Sequence, residues 1–409
     1  MVMLTNDEAE KILKDKRLFD NIVNVVGKYV SGEKGTIKNI FLHLNKIHVA
    51  NLQGTKCSKV DGESAAGKNF VCEKVYDIFP NDRKISRTRL SPRTFDYWHT
   101  ASSDNDWNWD NWILYIDQVD DGLLNSDSFK LMATGGSKTT IVVKQEAVDL
   151  EVKGKPVLLV TTSHANPINE IITRFDNIIM DETSNQTDNI VKFQAEDAVL
   201  GESRYDIDFM RLKDALIRLK KCKVKVPYAK HLPVFVKNRS LRIRRIFPRI
   251  LDLIKSSCAL HQFQREKDKD GYLVANWEDY EIMRGVVEGL KESTILGLNH
   301  QLKRGYEGCI RASKNSVDGW FSAPEIIAFD GFCSRMSWYN YLEQLHERHL
   351  LESKYDFIDE KGYVKAQFYK PMSMEIQIKL PKWKDMLLEI DSKISNESSA
   401  EVVENAGFY

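Results

Sequence analysis

Asp61-Gly62-Glu63-Ser64-Ala65-Ala66-Gly67-Lys68-Asn69 lies between a short strand-like run and a helical stretch, Asn69 to Phe79, that Pro80 stops. Two glycines five positions apart, the second followed by lysine, have the spacing of a phosphate-binding loop between strand and helix. Glycine lets backbone N–H groups close on phosphate oxygens, and the helix start adds its dipole. Gly62, Glu63, Ser64, Ala65, Ala66, Gly67, Lys68 and Asn69 are therefore the expected nucleotide cradle, with Lys68 on the β- and γ-phosphates. Position 69 usually carries a Ser or Thr hydroxyl for Mg²⁺; Asn69 offers an amide oxygen instead. The competing reading is a glycine turn with an exposed lysine.

Such a site needs a second strand ending in an acid. Trp112-Ile113-Leu114-Tyr115-Ile116-Asp117 supplies one, 55 residues after Gly62, and makes Asp117 the expected Mg²⁺ ligand beside Asn69. Gln118 follows, where a carboxylate would take a proton from water; glutamine can only orient that water. Asp120 and Asp121 are near enough to substitute. A third apolar run, Val157 to Thr161, ends in Thr162-Ser163-His164-Ala165-Asn166, with Thr162 the first candidate to sense the γ-phosphate and Asn166 the second. In Thr173-Arg174-Phe175-Asp176, Arg174 either reaches the nucleotide of a neighbouring subunit or pairs with Asp176 or Asp181.

Strands without strict alternation, separated by helical stretches, point to a parallel sheet covered on both faces. Residues 5–30 read as helical, with Thr5 and Glu8 at capping-box spacing, and 37–47 as a second helix. Residues 139–152 read as a β-hairpin, and the chain is helical again from Asp252 to about Ala312. Ser322-Ala323-Pro324-Glu325 then opens a short helix, a turn and a second helix follow, and two strand-like runs, 351–358 and 363–369, close the segment: the winged-helix order. The second helix is expected to put Met336, Tyr339, Leu342, Leu345 and Leu350 inward, and Arg335, Ser337, Trp338 and Asn340 outward toward DNA with Lys361 on the wing. Acids near the wing keep a protein-docking role open.

The chain has 409 residues, enough for two or three domains, and a hydrophobic share of 42% that excludes a disordered chain. No apolar run approaches about 18 residues and the start lacks a signal-type apolar region, so neither a membrane span nor secretion is expected. Six cysteines without a CxxC pair fit a reducing cytoplasm rather than a zinc or disulfide scaffold. The 59 basic and 59 acidic residues cancel overall. Locally they do not: 211–249 holds fourteen Lys/Arg against Asp214, whereas 101–129 holds seven Asp and no base. Such a block attracts polyanions, or pairs with the acidic segment as a solvated face.

The order of phosphate loop, acid-ended strand, hairpin, polar strand end and Arg-Phe-Asp resembles the helicase-type AAA+ ATPases, and is similar to minichromosome-maintenance and superfamily-3 modules. More closely, residues 15–285 resemble primase-associated, helicase-like ATPases of phages and mobile elements, through LFDNIVNVVGKYVSGEKG, DGESAAGKNFVCEKVYDIFP, TRLSPRTFDYW, TTSH, TRFDNIIMDETSNQT and LRIRRIFPRILDLIKSSCALHQFQR. Relatives usually have Ser or Thr at 69 and an acidic pair at 117–118. The resemblance implies an α/β fold: helical segment 1–48, P-loop AAA+ core 49–205, basic helical lid 206–312, winged helix 313–375, and a C-terminal helix with acidic tail 376–409. It implies a lid arginine returning to the nucleotide, for which Arg245 is chosen among Arg242, Arg244, Arg245 and Arg249. It also implies hairpin lysines, Lys138, Lys144, Lys153 and Lys155, facing DNA in a ring channel. The expected protein is an ATP- and Mg²⁺-dependent DNA helicase or translocase, a homo-hexamer replicating a virus, plasmid or integrated element beside a separate primase. The alternative is an ATP-switched initiator or loader with weak hydrolysis.

Overall fold

The structure, a computed structural model, describes residues 4–62, 67–98, 107–143, 146–162, 174–181, 183–200, 207–235, 243–289, 300–347, 350–356, 366–372, 380–386 and 388. Its centre is a parallel sheet of β1 (Cys57–Asp61), β2 (Lys84–Arg87), β3 (Ile113–Ile116), β6 (Val157–Thr162) and β7 (Asp176–Ile179), in the order β2-β3-β6-β1-β7. Every residue of β3 and β6 is buried, which is why neither strand alternates in sequence: both faces are covered. The hairpin expected between the second and third apolar runs is present as β4 (Gly136–Val143) and β5 (Glu146–Lys153), a separate two-stranded sheet.

The stretch expected as one helix over 5–30 is two, α1 (Asn6–Leu13) and α2 (Leu18–Gly27). Asp15 makes the break. Its carboxylate accepts from the Arg17 backbone N–H at 2.8 Å and from Asn21 Nδ2 at 2.9 Å, so local side-chain bonding outcompetes the helix ladder. The Thr5–Glu8 capping box is formed. Helix α3 (Lys34–Asn45) is buried over nearly all of its length. Helix α4 (Lys68–Asp77) leaves the phosphate loop, and short helices α5 (Asp121–Leu124) and α6 (Asp127–Thr134) precede the hairpin. Beyond the sheet come α7 (Ser184–Leu200), α8 (Ile207–Leu216), α9 (Ile243–Leu260) and α10 (Trp277–Gly289), with a minimal parallel pair, β8 (Val224–Lys225) and β9 (Leu273–Val274).

The chain divides into two compact units. Residues 207–235 and 243–289 share a unit and a hydrophobic core with the sheet. Buried polar contacts of α9 explain this. Arg249 Nε lies 3.1 Å from Asp176 Oδ1, Asp252 accepts from the N–H groups of Gln53 and Gly54, and Ser256 Oγ donates to the Leu42 carbonyl.

The second unit, 300–372, begins earlier than residue 313 because α11 (His300–Asn315) belongs to it. It continues with β10 (Phe321–Ser322), α12 (Ala323–Phe329), α13 (Arg335–Glu347), β11 (Leu351–Asp356) and β12 (Ala366–Pro371), the strands forming an antiparallel sheet β10-β12-β11. The capping box of Ser322 and Glu325 is formed. The face of α13 is turned from the one expected. Trp338 is fully buried with Leu342 and Leu345, its Nε1 donating to the Asp330 carbonyl at 3.0 Å, while Met336 (78% exposed) and Tyr339 face solvent. Positions 338, 342 and 345 share one helical face, and the largest apolar side chain takes the core. Trp338 is therefore not on a DNA-facing surface. Arg335 is exposed; Lys361 lies outside the described residues.

Candidate functional site

At the C-terminal edge of the sheet, β1 ends in Asp61 and hands the chain to Gly62. Glu63, Ser64, Ala65 and Ala66 lie outside the described residues. The loop closes at Gly67, whose φ of +77° is the left-handed conformation that glycine adopts without a Cβ penalty, directly before α4. Lys68 is buried, and its Nζ donates to the Gly62 carbonyl at 2.8 Å, spanning the loop that it is expected to serve. Asn69 is half-buried on the first turn of α4. A helix N-terminus facing a glycine turn is an anion site by dipole and free N–H groups.

Sheet order decides what faces this loop. β6 pairs with β1 on one side and β3 on the other, in register Asp61↔Thr162 and Ile116↔Val160. Buried Thr162 thus ends its strand beside Asp61, and Asp117 follows β3 one strand further along. The neighbouring Thr161 hydroxyl donates to the Asp117 carbonyl, and Val119 N–H returns to the Thr161 carbonyl at 3.1 Å, so the two strand ends are pinned together. Tyr115 packs on Tyr76 of α4 with ring centroids 5.5 Å apart. Alternation then puts Asp117, two residues on, toward the same side as α4, and Tyr115 Oη donates to Asp117 Oδ1 at 3.2 Å. Burial, then the charges of Cys72 and Asp117, keep the Tyr115 hydroxyl protonated and so a donor.

Lys68, Asn69, Asp117 and Thr162 are therefore brought to one sheet edge, as expected. Asp117 and Asn69 are oxygen donors suited to Mg²⁺, a hard cation that keeps several waters and needs few protein ligands. No cluster of three metal-binding side chains occurs among the described residues, and this chemistry needs none.

Other expectations meet a different geometry. Gln118 is exposed, and its Oε1 accepts from Arg89 Nη2 at 3.2 Å. Asp120 caps α5 through the Leu123 N–H at 2.8 Å, which gives it a structural duty. Arg174 stands two residues before β7, at the N-terminal edge of the sheet and so away from its own phosphate loop; its Nη1 donates to the Lys130 carbonyl at 3.0 Å. Its expected partner Asp176 is taken by Lys46 at 3.0 Å and by Arg249. Arg245 is exposed on the first turn of α9, one turn before Arg249. On the hairpin, exposed Lys138 pairs with its cross-strand neighbour Glu151 at 3.3 Å. Lys153 and Lys155 lie at the hairpin base, where Lys155 N–H donates to Asp110. Lys144, His164 and Asn166 lie outside the described residues.

One group near the site escapes motif reading. Glu73, on the second turn of α4, has its carboxyl pushed up by burial and then by the charges of Asp117 and Asp77. Helical spacing from Asn69 was the available signal, since residues four apart share a face.

Residues 5–207, just under half of the chain, match the family model described as the MTBMA_p00010 P-loop domain. No curated protein matches the chain. The matched span holds the whole five-stranded sheet, and a P-loop domain there points to nucleotide binding and triphosphate hydrolysis.

Proposed function

We propose that the protein is an ATPase of the helicase-type AAA+ class that acts on DNA as a ring, most simply a hexamer, in the replication of a virus, plasmid or integrated element. The observation that carries the reading is the placement of β6 between β1 and β3: Thr162 stands between the phosphate loop and Asp117, and a hairpin enters directly before it. Lys68 with the loop N–H groups holds the triphosphate, Asp117 with the Asn69 amide oxygen holds Mg²⁺, and Thr162 contacts the γ-phosphate. The ion, when bound, neutralises charge on the β- and γ-oxygens. The position of Arg174 away from its own loop supports a role on the nucleotide of an adjacent subunit. In the second unit, the order helix, strand, helix, helix, hairpin supports a winged helix that docks DNA or protein.

The test is ATP hydrolysis with and without single-stranded DNA, for wild type, Lys68→Ala and Arg174→Ala. DNA stimulation that both substitutions abolish is the expected result; hydrolysis no higher than the Lys68→Ala background would sink the motor. Asn69, and Gln118 held by Arg89, favour a second reading, an initiator or loader that hydrolyses slowly. A strand-displacement assay separates the two.

A further inference from the structure

The basic block at 211–249 is described over residues 211–235 and 243–249. Some of its cations are neutralised in place: Arg218 pairs with Asp214, Lys225 with Asp268 and Asp270, and Arg249 with Asp176. Lys220 and Lys221 are placed differently. With Arg83 they rim a pocket of about 320 Å³. It opens where β2 and β3 begin, at the sheet edge opposite the phosphate loop. Ile47, Phe79, Ile113, Leu216 and Leu219 form its apolar wall, each less than a tenth exposed. Among the described residues, Asp82 is the carboxylate that lines it. It stands 3.7 Å from Arg83 with both side chains more than half exposed, a pair that water screens. Lys221 donates to the Asp110 backbone carbonyl at 3.3 Å and to Asn111 Oδ1 at 3.1 Å, and it also feels the Asp110 carboxylate, whose direct ion pair is with Lys56 at 3.2 Å.

Two polar groups in the lining have defined hydrogen-bonding roles. Asn45 Nδ2 donates to the Ser256 carbonyl, so the other amide atom is the oxygen, and His48 Nδ1 must donate to it at 3.0 Å. Burial, with Arg83 adding repulsion, pushes the His48 ring down to about 4, so the ring is neutral at pH 7 and its Nε2 is an acceptor. Asn111, its oxygen engaged by Lys221, offers amide N–H donors. The pocket thus combines a cationic rim that includes the screened Asp82, an apolar wall, a neutral imidazole and an amide, in a volume at the small end of ligand sites.

We propose that this pocket binds a nucleoside monophosphate unit, its base along the apolar wall against His48 and Asn111 and its phosphate on Arg83, Lys220 and Lys221. The unit is either a free nucleotide or one residue of a single strand crossing the surface; both present the same chemistry. Occupancy does not depend on the reaction at the phosphate loop.

The experiment uses the full chain in a Lys68→Ala background, which removes nucleotide binding at the phosphate loop. Calorimetry with AMP and with inorganic phosphate, and polarisation of a fluorescent oligodeoxyadenylate, are compared with and without Lys220→Glu/Lys221→Glu. Both lysines are exposed, and a melting curve checks that the fold is kept. AMP binding well above that of phosphate, weakened about tenfold by the double reversal and by added salt, supports a free nucleotide. Strand binding weakened in the same way, with AMP silent, supports a strand residue. If the reversal changes neither ligand, or phosphate binds as well as AMP, the proposal is overturned.

Discussion

Gln118 carries the clearest chemical consequence at the scale of one residue. Its amide oxygen is held by Arg89, and an amide cannot accept the proton of an attacking water. Gln118→Glu is expected to raise steady-state ATP hydrolysis by about tenfold or more, since a placed general base is worth roughly 10²–10⁴. An unchanged rate would mean that water is activated elsewhere. Glu73 is one candidate, with its carboxyl raised by burial and by Asp117, and Glu73→Gln would then lower the residual rate. The loop residues were legible because each does a job that few side chains can do: Gly67 needs φ +77°, and Lys68 needs a long cation. Glu73 was legible less directly, through its helical spacing from Asn69, because an exposed acid on a helix carries no motif of its own.

The hairpin is the element whose placement matters most, and its anchor is a glycine. Gly154 has φ +76°, and a Cβ there would stand 2.0 Å from Asn108 Oδ1 and 2.8 Å from Asp110 N. Gly154→Ala should destabilise the first unit by about 2 kcal/mol from the left-handed backbone and the collision together. Thermal melting checks this, and an unchanged midpoint would show that the 108–110 turn simply moves aside. Existence and type of the elements followed from periodicity, because burial on both faces leaves unbroken apolar runs such as 157–161. Their edges did not. Asp15 split the first helix, and the apolar stripe of α13 settled one residue away from the face expected, burying Trp338 and exposing Met336. Several apolar side chains competed for that face, and the shape of the core chose between them.

At the scale of the molecule, α3, α9 and the sheet are joined by a buried ionic knot. Lys46 is fully buried against Asp176, and His43 Nε2 donates to the Lys56 carbonyl at 3.1 Å while Lys46 approaches Nδ1 at 3.4 Å. Burial, then the Lys46 charge, pushes His43 down to about 4. Between about pH 6.5 and 4 the unfolded chain therefore binds a proton at His43 that the native state refuses, so stability falls as pH drops through that window, by about 3 kcal/mol. Asp176, held below the usual carboxylate range despite its burial by Lys46 and Arg249, loses its contribution only below about pH 4, outside that window. Urea midpoints at pH 7 and pH 4.5 should differ accordingly, and His43→Gln should reduce the difference; equal midpoints for wild type would refute a neutral buried His43. By itself, the sequence determined the phosphate loop, the parallel α/β core and the order of the elements, because backbone conformation, alternation and capping are local properties of the chain. Only the tertiary structure decided that β6 separates β1 from β3, that α9 joins the core of the sheet, and that Lys220 and Lys221 meet Arg83 across an apolar pocket. Those outcomes rest on contacts between residues far apart in the chain, where burial of apolar surface and pairing of buried charge select one arrangement among many that local preferences allow.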